Sequence, residues 1–257
     1  MSPEITLWRG AAIFAAGTAA GFINAIAGSG TLVSFPTLTG LGFAAKTANV
    51  SNGLGLFPGS MSAVWGFRKE LSDQHERLRR LFPLSCAGAV VGALLLLGFP
   101  GSFRVVVPYL ILLSVALVIV QPRLQRRVAA RQAASGRVEH NSPVLLGGVF
   151  VTGVYGGYFG AGQGIILIAI LGTFLVGDLR KINAAKNVLA ATANGVSGAV
   201  FALKGAVHWG VAGLIAAGSV LGAFAGAKIG RRIPAPVLRA VIVVVGTAVA
   251  VKMLLNL

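Results

Sequence analysis

The chain has 257 residues, of which 56% are hydrophobic and only 11% charged, with a mean hydropathy of +0.84. An average soluble domain is about 25% charged, so this composition excludes one and requires lipid as the solvent. The net charge of +16 argues for membrane anchoring and against nucleic acid, because the 22 Lys and Arg fall almost wholly in gaps between apolar stretches.

A bilayer core of about 30 Å takes about 20 apolar residues per helix. In chain order, apolar stretches run from about Leu7 to Phe43, broken by glycines, then Thr47 to Phe67, Leu81 to Phe99 and Phe103 to Val120. The order then recurs as Val144 to Val176, Ile182 to Leu203, Trp209 to Ala227 and Val237 to Leu255. The small residues Ala15 to Ala20 imitate a signal-peptide cleavage site, but the first stretch belongs to the repeat and is expected to stay.

The repeat extends to single residues. Gly21, Gly28, Gly30 and Gly40 lie 132 positions before Gly153, Gly160, Gly162 and Gly172, and Gly88-x-Val90-x-Gly92-Ala93 echoes Gly218-x-Val220-x-Gly222-Ala223. Basic residues orient the halves, since Lys and Arg concentrate in cytoplasmic loops. In the first half Arg68, Lys69, Arg77, Arg79 and Arg80 follow the second stretch, and Arg123, Arg126, Arg127, Arg131 and Arg137 follow the fourth. In the second half Arg180, Lys181 and Lys186 follow the first stretch, and Lys228, Arg231, Arg232 and Arg239 surround the third gap.

That reversal predicts an all-α polytopic membrane protein of two inverted-topology repeats, each a Gly-broken helix or re-entrant hairpin plus three transmembrane helices. Residues 1–121 form the first repeat, 122–142 a basic cytoplasmic linker and 143–257 the second. A parallel repeat with eight crossings is the rival, and it sets one half against the charge rule. Inverted repeats with Gly-interrupted segments at matching positions point to a secondary transporter's midplane site.

Broken helices at membrane depth are tolerated only where protein or a watery cavity satisfies the freed backbone groups. The breaks hold Asn24, Gly28, Ser29, Gly30 and Thr31 in one half and Tyr158, Gly160, Gly162 and Gln163 in the other. Helix N-termini after a break offer unpaired N–H groups to an anion. Polar groups follow each break: Asn49, Ser51, Asn52 and Ser60 in the first half, Lys186, Asn187 and Asn194 in the second. Lys186 reads either as a point charge for an anion or as an interfacial lysine snorkelling to headgroups. All of these are candidate substrate-binding residues; glycines spaced at four also serve helix packing alone.

The six acidic residues fall in gaps or at the N-terminus, so no intramembrane carboxylate is placed to bind a cation. His75, His140 and His208 lie in loop regions and Cys86 is the only cysteine, so no metal site, cofactor or disulfide is expected. No P-loop or catalytic triad order appears, and an enzyme is not expected.

The chain resembles the TauE/SafE family of membrane permeases, also described as sulfite exporter or DUF81 proteins. The resemblance rests on the Gly-rich break from Gly21 to Pro36, on Ala48-Asn49-Val50-Ser51-Asn52, Pro58-Gly59-Ser60 and Trp65-Gly66-Phe67-Arg68, and on Tyr155 to Gly162 and Asn183-Ala184-Ala185-Lys186-Asn187. It spans nearly the whole chain. It implies transport of sulfite or an organosulfonate, although many members have no assigned substrate. Ser51 stands where many relatives carry Thr, and Ser29 where Gly is frequent.

The expectation is a multi-pass inner-membrane permease for a small anionic substrate. Export is favoured, because an anion leaving an inside-negative cell gains about 2.3 kcal/mol per charge per 100 mV. An anion channel and a non-transporting membrane scaffold are the alternatives, and a homodimer is left open as the assembly.

Overall fold

The computed structural model describes residues 3–134, 142–174, 179–229 and 235–255. Arg137, Glu139, His140, Asp178, Arg231 and Arg232 lie outside them. The described residues form helices and connecting turns. The first half contributes α1 (Leu7–Ile26), α2 (Thr31–Gly40), α3 (Ala45–Gly66), a 3-10 turn (Arg68–Leu71), α4 (His75–Gly98) and α5 (Pro100–Ala134). The second contributes α6 (Pro143–Tyr158), α7 (Gln163–Phe174), α8 (Leu179–Leu203), α9 (Trp209–Ile229) and α10 (Ala235–Leu255).

Both long Gly-broken stretches resolve into a helix, a four-residue interruption and a second, shorter helix, as their glycines predict. One boundary differs. The apolar signal of the fourth stretch ends at Val120, but α5 continues to Ala134. Much of the segment read as a linker is therefore helix, because Arg, Gln and Ala propagate a helix well once it has nucleated.

Four of these helices, Leu7–Ile26, His75–Gly98, Gly101–Ala130 and Trp209–Lys228, are long and apolar enough to cross a bilayer. They carry exposed apolar side chains such as Phe82, Leu94, Tyr109, Leu113, Leu221 and Phe224. α3 and α8 are also long, but they are too polar for lipid. They occupy the middle, where Asn49, Ser51, Asn52 and Ser60 of α3 and Lys186, Asn187, Thr192 and Ser197 of α8 are buried. A helix that carries amides and an ammonium at membrane depth has to turn them toward protein, and the apolar helices supply the wall.

Glycines set the helix registers. In α4, Gly88 and Gly92 meet the backbone of α6 at Phe150 and Val154, and a Cβ at Gly92 would collide with Val154 O. In α9, Gly218 and Gly222 meet α1 at Phe14 and Thr18, and a Cβ at Gly222 would collide with Thr18 O. Contact numbers rise together in both pairs, so α4 runs parallel to α6 and α9 parallel to α1. This is the small-residue packing through which membrane helices associate without a hydrophobic driving force between them.

α3 runs parallel to α9, with Gly55 on Ile215, Gly59 on Ser219 and Gly66 on Ala227. It runs antiparallel to α8, with Leu54 against Gly198 and Phe57 against Gly195. These registers bring the start of α8 beside the turn that precedes α4, where Gln74 Nε2 donates to Lys181 O (3.0 Å) and Lys181 pairs with Asp73.

Candidate functional site

The centre of the molecule is where the two interruptions meet. Gly28 and Gly160 each adopt φ +77°, a left-handed conformation that glycine reaches at no steric cost. This lets the chain reverse after α1 and after α6. The two breaks touch directly: Gly164 N donates to Gly28 O (3.1 Å), and a Cβ on either residue would collide with the other's Cα. α2 and α7 therefore start side by side, with their N-terminal ends at the contact.

Each break is held by different side chains. In the first, Asn24 Oδ1 accepts from Gly30 N (2.7 Å), and Gln121 Nε2 of α5 donates to Ala27 O (3.4 Å). In the second, Tyr155 Oη donates to Ala161 O, Ser114 Oγ of α5 lies 2.7 Å from the same oxygen, and the Phe159 ring packs edge-on against Phe35 at 5.3 Å. α5 thus braces both breaks.

Lys186 is completely buried, and its Nζ donates to Asn24 O (2.8 Å). Asn183 Nδ2 (3.0 Å) and Asn187 Nδ2 (3.4 Å) donate to Ala25 O. One face of α8 thus satisfies the last carbonyls of α1, which lack intrahelical partners. On the opposite side Asn49 Nδ2 of α3 donates to Tyr158 O at the end of α6 (2.9 Å).

Around these groups lies a cavity of about 20 Å³, roughly the room one water needs. Asn24, Gly28, Thr31, Ser60, Gly160, Gln163, Lys186, Asn187 and Asn194 line it, so nine of the sixteen sequence candidates converge on one small polar space. The other seven lie elsewhere. Gly30 is bonded to Asn24, and Asn49 latches α6. Ser51 Oγ accepts from His208 N (2.9 Å), at the turn before α9. Gly162, at φ +74°, sits against Ser114. The Tyr158 ring packs on Phe103 at 5.6 Å. Ser29 Oγ and Asn52 Oδ1 are buried with no hydrogen-bond partner among the described residues.

Burial settles two points about Lys186. It does not reach the headgroups, and it does not belong among the loop cations of the charge count, since it sits in the third turn of α8. Ser114, Gln121, Tyr155 and Asn183 support the breaks without having been singled out in the sequence. Only Asn183 carried a signal, at the start of the run that ends in Asn187.

The model of the sulfite exporter TauE/SafE family matches residues 13–253. The chain belongs to the TauE/SafE family. It is 30% identical over 247 residues to a probable membrane transporter protein of Haemophilus influenzae, covering 95% of this chain and 93% of that one. It is 31% identical over 253 residues to probable membrane transporter protein ORF9 of a Sinorhizobium species, covering 94% and 91%. It is 28% identical over 238 residues to probable membrane transporter protein YfcA of Escherichia coli K12, covering 91% and 86%. No solved structure matches the chain. The family consists of membrane transporters and not of enzymes, so the buried polar cluster of this TauE/SafE member is to be read as part of a transport path.

Proposed function

We propose that this chain is a multi-pass inner-membrane secondary transporter that moves a small oxyanion, sulfite or an organosulfonate, through the space between the two breaks, with export the favoured direction. The observation that carries the reading is Lys186. An ammonium held at 0% exposure is costly unless an opposite charge accompanies it, and no acidic side chain is among the residues lining its cavity. The starts of α2 and α7 add the positive ends of two helix dipoles to the same space. A mobile anion is the counter-charge such a site lacks.

The cavity holds about one water, so substrate enters only after the packing around the breaks opens. The helix directions support two inverted repeats: α1, α3 and α9 run one way, and α8 runs against α3. The start of α8, the start of α4 and the end of α3 share one end of the bundle. Arg68, Lys69, Arg79, Arg80, Arg180 and Lys181 lie there, which makes that end the cytoplasmic one.

The test is thermal stabilisation of purified protein by sulfite, sulfoacetate, taurine, sulfate, carboxylates and cations. A ligand binding only the folded state at 100 times its dissociation constant adds about 2.7 kcal/mol. Stabilisation by sulfite or sulfonates, lost in Lys186→Met, is the expected result. Stabilisation that persists in Lys186→Met would reduce the lysine to a cap on α1, and stabilisation by cations alone would overturn the reading.

A further inference from the structure

The four-residue interruptions are each clamped from the opposite half of the molecule, and the two clamps correspond. Asn183 of α8 donates to Ala25 O at the end of α1, and Asn49 of α3 donates to Tyr158 O at the end of α6. Each joins a central polar helix of one half to the helix that precedes the break in the other half. Each is a single amide-to-carbonyl bond, of 3.0 Å and 2.9 Å.

What lies beyond each clamp differs from what lies within. Asn183 lines a second cavity of about 220 Å³, together with Ile26, Phe67, Gln125 and Arg180. Ala25, its acceptor, lines the central cavity. The Asn183–Ala25 bond is therefore a wall shared by the two spaces, and the larger one opens at the end that carries Arg180. On the other side, a cavity of about 430 Å³ is lined by Pro36, Thr39, Ala45 and Arg104. Ala45 is one helical turn before Asn49. Phe103, next to Arg104, packs on the Tyr158 ring whose backbone oxygen Asn49 holds.

We infer that Asn183 and Asn49 are the inner and outer gate latches of the central site: releasing Asn183 from Ala25 O joins the site to the cavity at Arg180, and releasing Asn49 from Tyr158 O joins it to the cavity at Arg104. This rests on the transport reading and deepens it, by giving Asn49 and Asn183 a positioning role on the path in place of contact with the anion. Both latches are closed in the structure, which accounts for a central cavity of about 20 Å³ between two much larger ones. Each mouth carries an arginine, a donor suited to an oxyanion. A single net hydrogen bond holds each latch, small enough for substrate or thermal motion to exchange.

The experiment places a cysteine on the central cavity wall, Ala190→Cys, in a Cys86→Ser background. Its reaction with a membrane-impermeant methanethiosulfonate is then followed in right-side-out and inside-out vesicles. Asn183→Ala is expected to raise the rate roughly five- to tenfold from the cytoplasmic face only, the factor of one lost hydrogen bond. Asn49→Ala is expected to raise it by the same factor from the outer face only. Asn183→Asp and Asn49→Asp keep the side-chain shape without the donor and should repeat the pattern if the alanine variants do not fold. Any other pattern, including no rise or a rise from the same face with both, overturns the assignment. Labelling requires no substrate, so it stands or falls separately from the anion shifts.

Discussion

The two breaks have the same backbone and different contents. Gly28 and Gly160 share φ +77°, and each follows a helix whose terminal carbonyl is held by an asparagine of the other half. Yet the first break faces Lys186 and is organised by Asn24, whereas the second is organised by Tyr155, Ser114 and an aromatic cluster of Phe35, Phe103 and Phe159. Duplication supplied the skeleton twice and the cation once. A single cation beside paired helix starts gives the site one polar wall, against which an anion has a preferred orientation.

Removing the charge should separate the two breaks most sharply. Lys186→Met is expected to reduce sulfite or sulfonate transport in proteoliposomes by at least about thirtyfold, in line with the 2–5 kcal/mol lost when a buried charge pair is truncated. Lys186→Arg should not restore it, because a forked guanidinium does not fit where a compact ammonium packs against Gly164. Transport by Lys186→Met at the parent rate would make the breaks equivalent.

The next effect is steric. Gly28→Ala adds a Cβ into the Gly164 backbone and also occupies the left-handed region, while at Gly160 the nearest non-neighbouring atom to a new Cβ is 3.1 Å away. Gly160→Ala should cost about 1–2 kcal/mol, the penalty for an L-residue there. Gly28→Ala should cost that plus an overpacking term of about 1–3 kcal/mol. Melting of the two variants checks the order, and a larger loss at Gly160 would contradict the tight contact between the breaks.

Smaller still is the support of each break. Asn24→Ala leaves Gly30 N unpaired inside the protein and should cost about 1–3 kcal/mol. Tyr155→Phe should cost under about 1 kcal/mol, because Ser114 still lies within bonding distance of Ala161 O. Equal losses would mean that Ser114 does not share the load.

The smallest effect lies outside the membrane segments. The hydrogen bond from Lys181 holds the Asp73 carboxyl below its ordinary value of 3.8. A depressed folded-state value contributes stability that is complete above the unfolded value and is lost as pH falls through the folded one. Both side chains are well exposed to solvent, so the contribution is slight. Asp73→Asn should therefore lower melting slightly at neutral pH and make no difference once the pH is well below 3.8.

Much of this arrangement was legible before the structure. Repeated glycines located both interruptions to within a few residues, because few residues other than glycine reverse a chain at φ near +77° or admit another backbone at contact distance. The polar runs at Asn49 and Asn187 marked the helices that lipid would reject. Ser51 and Tyr158 were read into the site by nearness in sequence, yet one bonds His208 N and the other stacks on Phe103. A helix turns about 100° per residue, so neighbours in a polar run face different partners.

Composition, glycine spacing and the placement of cations thus determined by themselves that the chain lives in a bilayer, repeats once and breaks twice, since these follow from solvent, backbone sterics and charge. Only the tertiary structure decided that Lys186 is interior and not interfacial, that Ser114 and Gln121 of α5 brace both breaks, and that Asn49 and Asn183 clamp across the halves. Those facts depend on which faces of distant helices meet. No local pattern encodes this, because each hydrogen bond joins residues about 34 to 162 positions or more apart in the range from Ser114–Ala161 to Lys186–Asn24.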